Sequence, residues 1–120
     1  RENSTTHALN EIDVRKIYKV RDLILADIAV PHIIKNLASQ IGMSESKFKR
    51  LFKQIFGDSF FSYYQKFRMK EAARLIKENR MSVSEVGFSL GFSNLSHFAK
   101  VFQEHVGMKP KSFQKSNSYS

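Results

Sequence analysis

The stretch GFSNLSHFAKVF, from Gly91 to Phe102, repeats a pattern that also occurs in GMSESKFKRLF, from Gly42 to Phe52. Each stretch has a glycine, a bulky apolar residue, a serine and then two phenylalanines four positions apart. The later stretch contains one additional residue. A glycine followed by a serine and a helical apolar pattern is typical of a turn that leads into a capped helix. The repeat therefore predicts two similar pairs of helices.

Apolar residues on both sides of each glycine recur at helical spacing. Before the turn they lie at offsets of 0, 3, 4 and 7, which places them on one face of a helix. The residues after the turn keep a similar spacing, and two short helices joined by such a turn form a helix-turn-helix. In the first repeat these residues are Ile34, Leu37, Ala38, Ile41, Phe48, Leu51, Phe52 and Ile55, and in the second they are Val83, Val86, Gly87, Leu90, Phe98, Val101, Phe102 and Val106.

The two repeats align as an internal duplication of one helix-turn-helix. Gly42 and Ser44 align with Gly91 and Ser93 at a shift of 49 residues, and the shift becomes 50 after the turn. We expect the additional residue at the start of the second helix, where it leaves the buried face undisturbed. Ser44 and Ser93 are each predicted to cap the helix that follows.

Ala38 and Gly87 occupy the same position in the two repeats. Glycine inside a helix lowers helix stability by roughly 1 kcal/mol relative to alanine, so its presence at position 87 calls for a structural explanation. Because both residues are small, we predict that the second helix of each pair crosses closely over the first at this point.

The segment between the repeats, SFFSYYQKFRMKEAARLIKEN, contains no glycine or proline and predicts a long helix. A rigid helical spacer would fix the distance and the rotation between the two helix-turn-helix units. We divide the chain into residues 1–13 as a linker or frayed N-terminus, 14–58 as the first helix-turn-helix, 59–79 as the spacer helix, 80–116 as the second helix-turn-helix and 117–120 as a disordered tail.

The composition favours a globular domain with a polyanion partner. The formal net charge is +9, and residues 44–80 hold ten Lys and Arg against four Asp and Glu. Cysteine is absent, which excludes disulfides, thiolate metal sites and cysteine nucleophiles. No apolar run has the length of a membrane span.

A helix-turn-helix and a basic centre favour DNA binding, and three other function classes are compared with it. An enzyme is disfavoured because the four histidines show no metal-ligand spacing and no phosphate loop or nucleophile motif is present, so we expect no metal and no cofactor. A sequence-blind polyanion binder, acting on DNA or an anionic membrane surface through the basic spacer helix, stays open as the alternative. A helical protein-interaction module would be distinguished by a complete lack of DNA binding.

The whole layout resembles the DNA-binding domain of the AraC/XylS family of bacterial transcription regulators. SVSEVGFSLGFSNLSHFAKVFQEHVGMKPKSF, residues 82–113, matches the family pattern of a GF turn, a spaced phenylalanine pair and a closing G-x-x-P. LASQIGMSESKFKRLFKQIFG, residues 37–57, and the spacer helix extend the resemblance over about residues 14–114. It implies an all-α, homeodomain-like fold of about seven helices with two helix-turn-helix subdomains.

A helix-turn-helix places its second helix in the major groove, with the N-terminal residues of that helix at the base edges. Arg50 is our strongest candidate, because arginine pairs bidentately with guanine, and Lys100 takes the same role by resemblance. Predicted base contacts are Ser46, Lys49, Arg50, Leu95, Ser96, His97 and Lys100. Predicted phosphate contacts are Ser44, Lys47, Lys53, Ser93, Asn94, Lys111 and Ser112.

The resemblance implies double-stranded DNA as the partner, and RNA polymerase as a second partner of an activator. We expect two unlike half-sites about 34 Å apart, read by a monomer of this domain. We also expect an effector or dimerisation domain upstream, a cytoplasmic location and no membrane partner.

Overall fold

The computed structural model describes residues 9–30 and 32–118. Every regular element in these ranges is an α-helix, which confirms the all-α prediction and its helix number. In chain order the helices are α1 Glu11–Ala26, α2 Ile34–Gln40, α3 Glu45–Phe56, α4 Phe60–Glu78, α5 Val83–Ser89, α6 Leu95–Val106 and α7 Pro110–Ser118.

The helices form two compact units. The first unit comprises residues 9–26 and 32–60, and so contains α1, α2 and α3. The second unit comprises residues 27–30 and 61–118, and contains α5, α6 and α7 with all of α4 except its first residue. The helix predicted as a separate spacer therefore packs as part of the second unit.

Helix α1 begins three residues earlier than the apolar pattern predicted. The Asn10 side-chain oxygen accepts hydrogen bonds from the backbone N–H groups of Ile12, at 2.8 Å, and Asp13, at 3.3 Å. This cap allows residues 11–13, predicted to belong to the linker, to form the first helical turn. Residues 1–8 of the predicted linker lie outside the described residues.

The C-terminal end also extends beyond the prediction. Helix α7 continues to Ser118, so residues 117 and 118 are helical rather than part of a disordered tail. Within this last turn the Asn117 side chain donates a hydrogen bond of 2.8 Å to the backbone oxygen of Phe113. Residues 119–120 lie outside the described residues.

Each unit is built around an aromatic pair contributed by the second helix of its helix-turn-helix. We call this helix the reading helix, and it is α3 in the first unit and α6 in the second. In the first unit the rings of Phe48 and Phe52 are stacked with centroids 5.9 Å apart, and both are fully buried. In the second unit the rings of Phe98 and Phe102 lie 5.9 Å apart. The core of the second unit also takes residues from α4, α5 and the turn, namely Met69, Ala72, Ile76, Val86, Leu90 and Phe92.

The two reading helices, α3 and α6, have the same length and the same kind of C-terminal end. Each ends at a glycine in the left-handed conformation, with φ of 77° at Gly57 and 96° at Gly107. The N–H of each glycine donates to a carbonyl of the last helical turn. A residue with a Cβ would be strained at this conformation, which is why glycine ends both helices.

The N-caps of the two reading helices differ, and one prediction was wrong. Ser44 caps α3 as predicted, its hydroxyl oxygen accepting from the Lys47 N–H at 3.1 Å. The cap of α6 is Asn94, whose side chain accepts from the His97 N–H at 3.1 Å, and not Ser93. The additional residue lies before the cap rather than inside the helix, so the position equivalent to Ser44 is Asn94.

Gly87 lies where side chains of α6 pack directly against α5. A Cβ placed on Gly87 would lie 2.9 Å from the ring of Phe98 and 3.0 Å from a methyl carbon of Leu95. Real Cβ atoms essentially never make a contact as short as the one with Phe98, so the missing side chain allows the approach of α6. The close crossing that the sequence predicted at this position is thereby present in the second unit.

Candidate nucleic-acid interface

Helix α3 separates its apolar and polar residues onto opposite faces. Phe48, Leu51 and Phe52 are buried in the first unit. Because a helix has 3.6 residues per turn, the positions between these residues project outward. The exposed residues on this face include Ser46, Lys49, Arg50 and Lys53, four of the predicted DNA contacts.

Lys47 differs from the other basic residues of α3 because it has a carboxylate partner within the first unit. Its Nζ atom lies 2.9 Å from Oδ2 of Asp13, whose side chain is only 17% exposed. The pair connects the N-terminal turns of α1 and α3. A phosphate would have to compete with Asp13 for this ammonium group, so we expect Lys47 to contribute less to DNA binding than Lys53.

Helix α6 has the same buried stripe but a different outer face. Phe98, Val101 and Phe102 are buried. The predicted base contacts Ser96, His97 and Lys100 are exposed.

Leu95 and Asn94 have local partners within the second unit. Leu95 is half-buried, and one of its methyl carbons lies close to Gly87. This packing directs part of Leu95 towards α5, while Leu95 also lines a groove together with Ser96 and Lys111. The side-chain oxygen of Asn94 accepts the cap hydrogen bond, which leaves its amide NH₂ as the group that could donate to a phosphate.

The beginning of α7 approaches the beginning of α6 in the second unit. A groove of about 370 Å³ is lined by Ser96 of α6, by Lys111 of α7 and by Lys109, which precedes α7. The structure therefore brings a predicted base contact and a predicted phosphate contact to one surface. Ser93 and Ser112 are also exposed, as a phosphate contact requires.

Arg68 is a structural residue of the second unit whose role the sequence did not reveal. Its Nη2 donates to the backbone oxygen of Leu90, the residue that ends α5, at 2.5 Å, and its Nη1 donates to the side-chain oxygen of Gln65 at 2.8 Å. The guanidinium carbon lies 4.1 Å from the centroid of Phe92 and 5.0 Å from that of Tyr64. Arg68 therefore anchors the turn of the second helix-turn-helix to α4.

Burial of Arg68 has an electrostatic cost. Desolvation lowers the pKa of its guanidinium, and the nearby Tyr64 side chain partly opposes that shift. The Nε atom is buried without a hydrogen-bond partner among the described residues. The two aromatic faces and the Leu90 carbonyl offset this cost, since a charge-assisted hydrogen bond and cation–π contacts strengthen away from water.

The ring of Phe92 connects this anchor to the reading helix. Its centroid lies 5.6 Å from the imidazole of His97 in an edge-to-face arrangement and 5.2 Å from the ring of Phe98. Arg68, Phe92 and His97 thus form a continuous series of contacts from α4, through the turn, to the exposed face of α6. A predicted base-contacting side chain therefore packs against the ring of Phe92.

Two further features of the described residues bear on function. No group of three or more His, Asp or Glu residues in these ranges is arranged to hold a metal ion. None of the helices combines the length and the apolar character that crossing a membrane requires.

Two helix-turn-helix units, each with an exposed polar face on its second helix, define a duplicated DNA-binding domain. A family model described as a helix-turn-helix domain matches residues 37–116. This chain belongs to the AraC/XylS family of transcription regulators, as the sequence resemblance predicted.

Individual relatives agree with this assignment. The regulator GbdR of Pseudomonas aeruginosa is 31% identical over 96 residues, which are 80% of this chain and 26% of GbdR. The arabinose operon regulatory protein of Salmonella typhimurium is 31% identical over 81 residues, 68% of this chain and 29% of that protein. The chain therefore spans between a quarter and a third of the length of these two relatives.

A solved structure confirms the fold. An AraC-type regulator from Chromobacterium violaceum superposes with a TM-score of 0.77 at 27% sequence identity. The match covers 90% of this chain and 96% of that chain. The all-α arrangement of the described residues is therefore that of an AraC-type DNA-binding domain.

Proposed function

We propose that this domain reads an asymmetric double-stranded DNA site, with α3 and α6 each recognising one block of sequence from the major groove. The observation that supports this proposal best is the outer face of α3. It combines three exposed cations, Lys49, Arg50 and Lys53, with an opposite face on which Phe48, Leu51 and Phe52 are buried. Such a helix can insert its exposed side chains into a groove without unpacking its core.

Each proposed contact has a role that follows from its chemistry. Arg50 would donate two hydrogen bonds to a guanine, and Lys100 would take the corresponding position on α6. Lys53 and Lys111 would neutralise phosphates and fix the register without reading sequence. The remaining proposed base contacts are Ser46, Lys49, Leu95, Ser96 and His97, and the remaining phosphate contacts are Ser44, Lys47, Ser93, Asn94 and Ser112.

Within a full-length regulator, the domain would act together with other parts. The span of about a quarter of GbdR supports a separate domain for effector binding or dimerisation. An activator would in addition contact RNA polymerase, and regulation of bacterial genes would place the protein in the cytoplasm. The proposal involves no catalytic step, no cofactor and no membrane.

Selection of binding sites from random duplex DNA tests the proposal directly. The expected result is enrichment of two unlike sequence blocks separated by about one helical turn of DNA, roughly 10 base pairs. Enrichment of a single block would mean that only one unit reads sequence. Binding without any enrichment would instead favour the sequence-blind polyanion binder and overturn the proposal.

A further inference from the structure

Phe61 is an apolar residue displayed to solvent at the start of α4. It is 63% exposed, the highest value among the large apolar residues in the described ranges. Its neighbour Phe60 is only 4% exposed. Because successive residues on a helix point about 100° apart, burying one ring of the pair can leave the other outside the core. A single exposed phenylalanine is common on protein surfaces, so its surroundings decide whether it has a function.

The surroundings of Phe61 include the reading face of α6. Phe61 and Gln65 line one side of a depression of about 220 Å³, and His97, Lys100 and Glu104 of α6 line another. His97 and Lys100 are proposed base contacts, so the ring lies next to the side chains that would enter the groove. An apolar surface at this position would be covered when DNA binds.

The chemistry of the depression selects one group on DNA. Lys100 and His105 line the depression together with Glu104, so its charge alone does not select a phosphate, and the ring of Phe61 offers a phosphate no hydrogen bond. Thymine carries a methyl group in the major groove, and phenylalanine is among the residues that contact it. A base edge with a methyl group therefore fits this surface better than the sugar–phosphate backbone does.

We propose that Phe61 packs against the 5-methyl group of a thymine beside the bases read by α6, and so specifies thymine at one position. This inference rests on the proposed function, since it requires α6 to lie in a major groove. It adds a specificity residue from α4, outside both helix-turn-helix motifs. The contact buries roughly one methyl group, which corresponds to about a threefold to tenfold preference.

Deoxyuridine isolates this contact because it differs from thymine only by the missing methyl group. The dissociation constant of the 120-residue chain would be measured by fluorescence anisotropy on the selected site. Each thymine of the site would then be replaced in turn by deoxyuridine. We expect the wild-type chain to lose about threefold to tenfold in affinity at a position that Phe61→Ala no longer discriminates.

A matched control is available within the same unit. Phe88 is 55% exposed on α5, a helix to which no DNA contact is assigned. Phe88→Ala should therefore keep the wild-type affinity and the wild-type response to every deoxyuridine. Both substitutions are at exposed positions, and circular dichroism would verify that both variants keep the helical content of the wild type.

The outcomes separate this inference from the proposed function. If Phe61→Ala retains full discrimination between thymine and deoxyuridine, the contact is absent and the inference is wrong while the proposed function stands. The same conclusion follows if the variant binds the thymine duplex as tightly as the wild type. If the wild-type chain itself shows no sequence preference, the proposed function and the inference both fail.

Discussion

The two reading helices have similar residues on their buried faces and different residues on their exposed faces. Helix α3 carries four cationic side chains and one carboxylate, whereas α6 carries one lysine and one glutamate together with two histidines. On the inner face, Phe48, Leu51 and Phe52 of α3 correspond to Phe98, Val101 and Phe102 of α6. The buried residues are thus nearly the same, while the exposed ones have diverged.

This contrast reflects two different physical demands. A close-packed core tolerates little change in side-chain volume, so both units retain an aromatic pair at the same spacing. An outer face has no such constraint and can be adapted to a base sequence. We therefore expect the two units to read unlike sequences, with a larger electrostatic contribution from α3.

In the second unit, whose reading helix is the less basic one, Arg68 of α4 anchors the turn of the helix-turn-helix. Arg68→Ala removes the hydrogen bond to the Leu90 carbonyl and the contacts with Phe92 and Tyr64. From the usual values for a charge-assisted hydrogen bond and cation–π contacts, we expect a loss of about 2–4 kcal/mol in the free energy of unfolding. Urea denaturation followed by circular dichroism would measure it.

Arg74 provides the control for this substitution. It lies on the same helix and forms surface ion pairs with Glu71 and Glu78. Exposed pairs of this kind contribute at most about 1 kcal/mol, so Arg74→Ala should be the milder change. If the two variants lose the same stability, Arg68 does not act as an anchor.

Substitution of Arg50 and of Lys100 compares how much α3 and α6 contribute to DNA affinity and base preference. Arg50→Ala should weaken binding to the selected site by about 1–3 kcal/mol and relax one base position, because a bidentate guanine contact is lost. Lys100→Ala, at the corresponding position of α6, should have a smaller effect, since lysine lacks the planar fork of arginine.

Anisotropy titrations on the selected site and on single-base variants of it would measure both effects. Equal losses for the two substitutions would show that α6 reads DNA as strongly as α3, despite its lower charge. An unchanged affinity and base preference in Arg50→Ala would show that the proposed orientation of α3 in the groove is wrong.

Much of this fold follows from local patterns in the sequence. The duplicated glycine turns, the spacing of the apolar residues and the Ser44 cap predicted the two helix pairs and the family. These features are local, because each depends on residues within one or two helical turns. The sequence offered both Asn10 and Asp13 as caps of α1, and the boundary was placed at Val14 because the first turn contains mainly polar residues and gives a weak apolar signal.

The features that sequence reasoning missed depend on contacts between distant residues. Arg68 and Leu90 are 22 positions apart, and Lys47 pairs with Asp13 from another helix of the first unit. The helical spacing of apolar residues does not predict such contacts. The cap at Asn94 was missed for a different reason, since the repeat alignment did not determine on which side of the cap the additional residue lies.

Gly87 tests how tightly α6 packs against α5 in the second unit. Gly87→Ala should gain about 1 kcal/mol in helix propensity but force Phe98 and Leu95 to move, which typically costs 1–3 kcal/mol. We expect a net loss of about 1 kcal/mol in the free energy of unfolding. Urea denaturation would check this value, and a stabilised variant would show that the second unit relaxes easily.

The smallest predicted effect concerns two lysines on the same helix. Lys53→Ala should weaken binding to all duplexes alike, and should reduce the slope of log affinity against log salt by about 0.9, the value for one phosphate contact. Lys47→Ala should reduce the slope by less, because Asp13 already neutralises this ammonium group at 2.9 Å.

Affinity measured from 50 to 200 mM salt on specific and random duplexes would compare the two lysines. The variant Asp13→Asn sharpens the comparison, since it releases Lys47 from its carboxylate partner. Binding of this variant should become tighter and more salt-dependent, and the effect of Lys47→Ala in that background should approach the effect of Lys53→Ala. If Lys47→Ala has the same effect with and without the Asp13 carboxylate, the ion pair does not compete with DNA, and the difference between the lysines must come from their positions on α3.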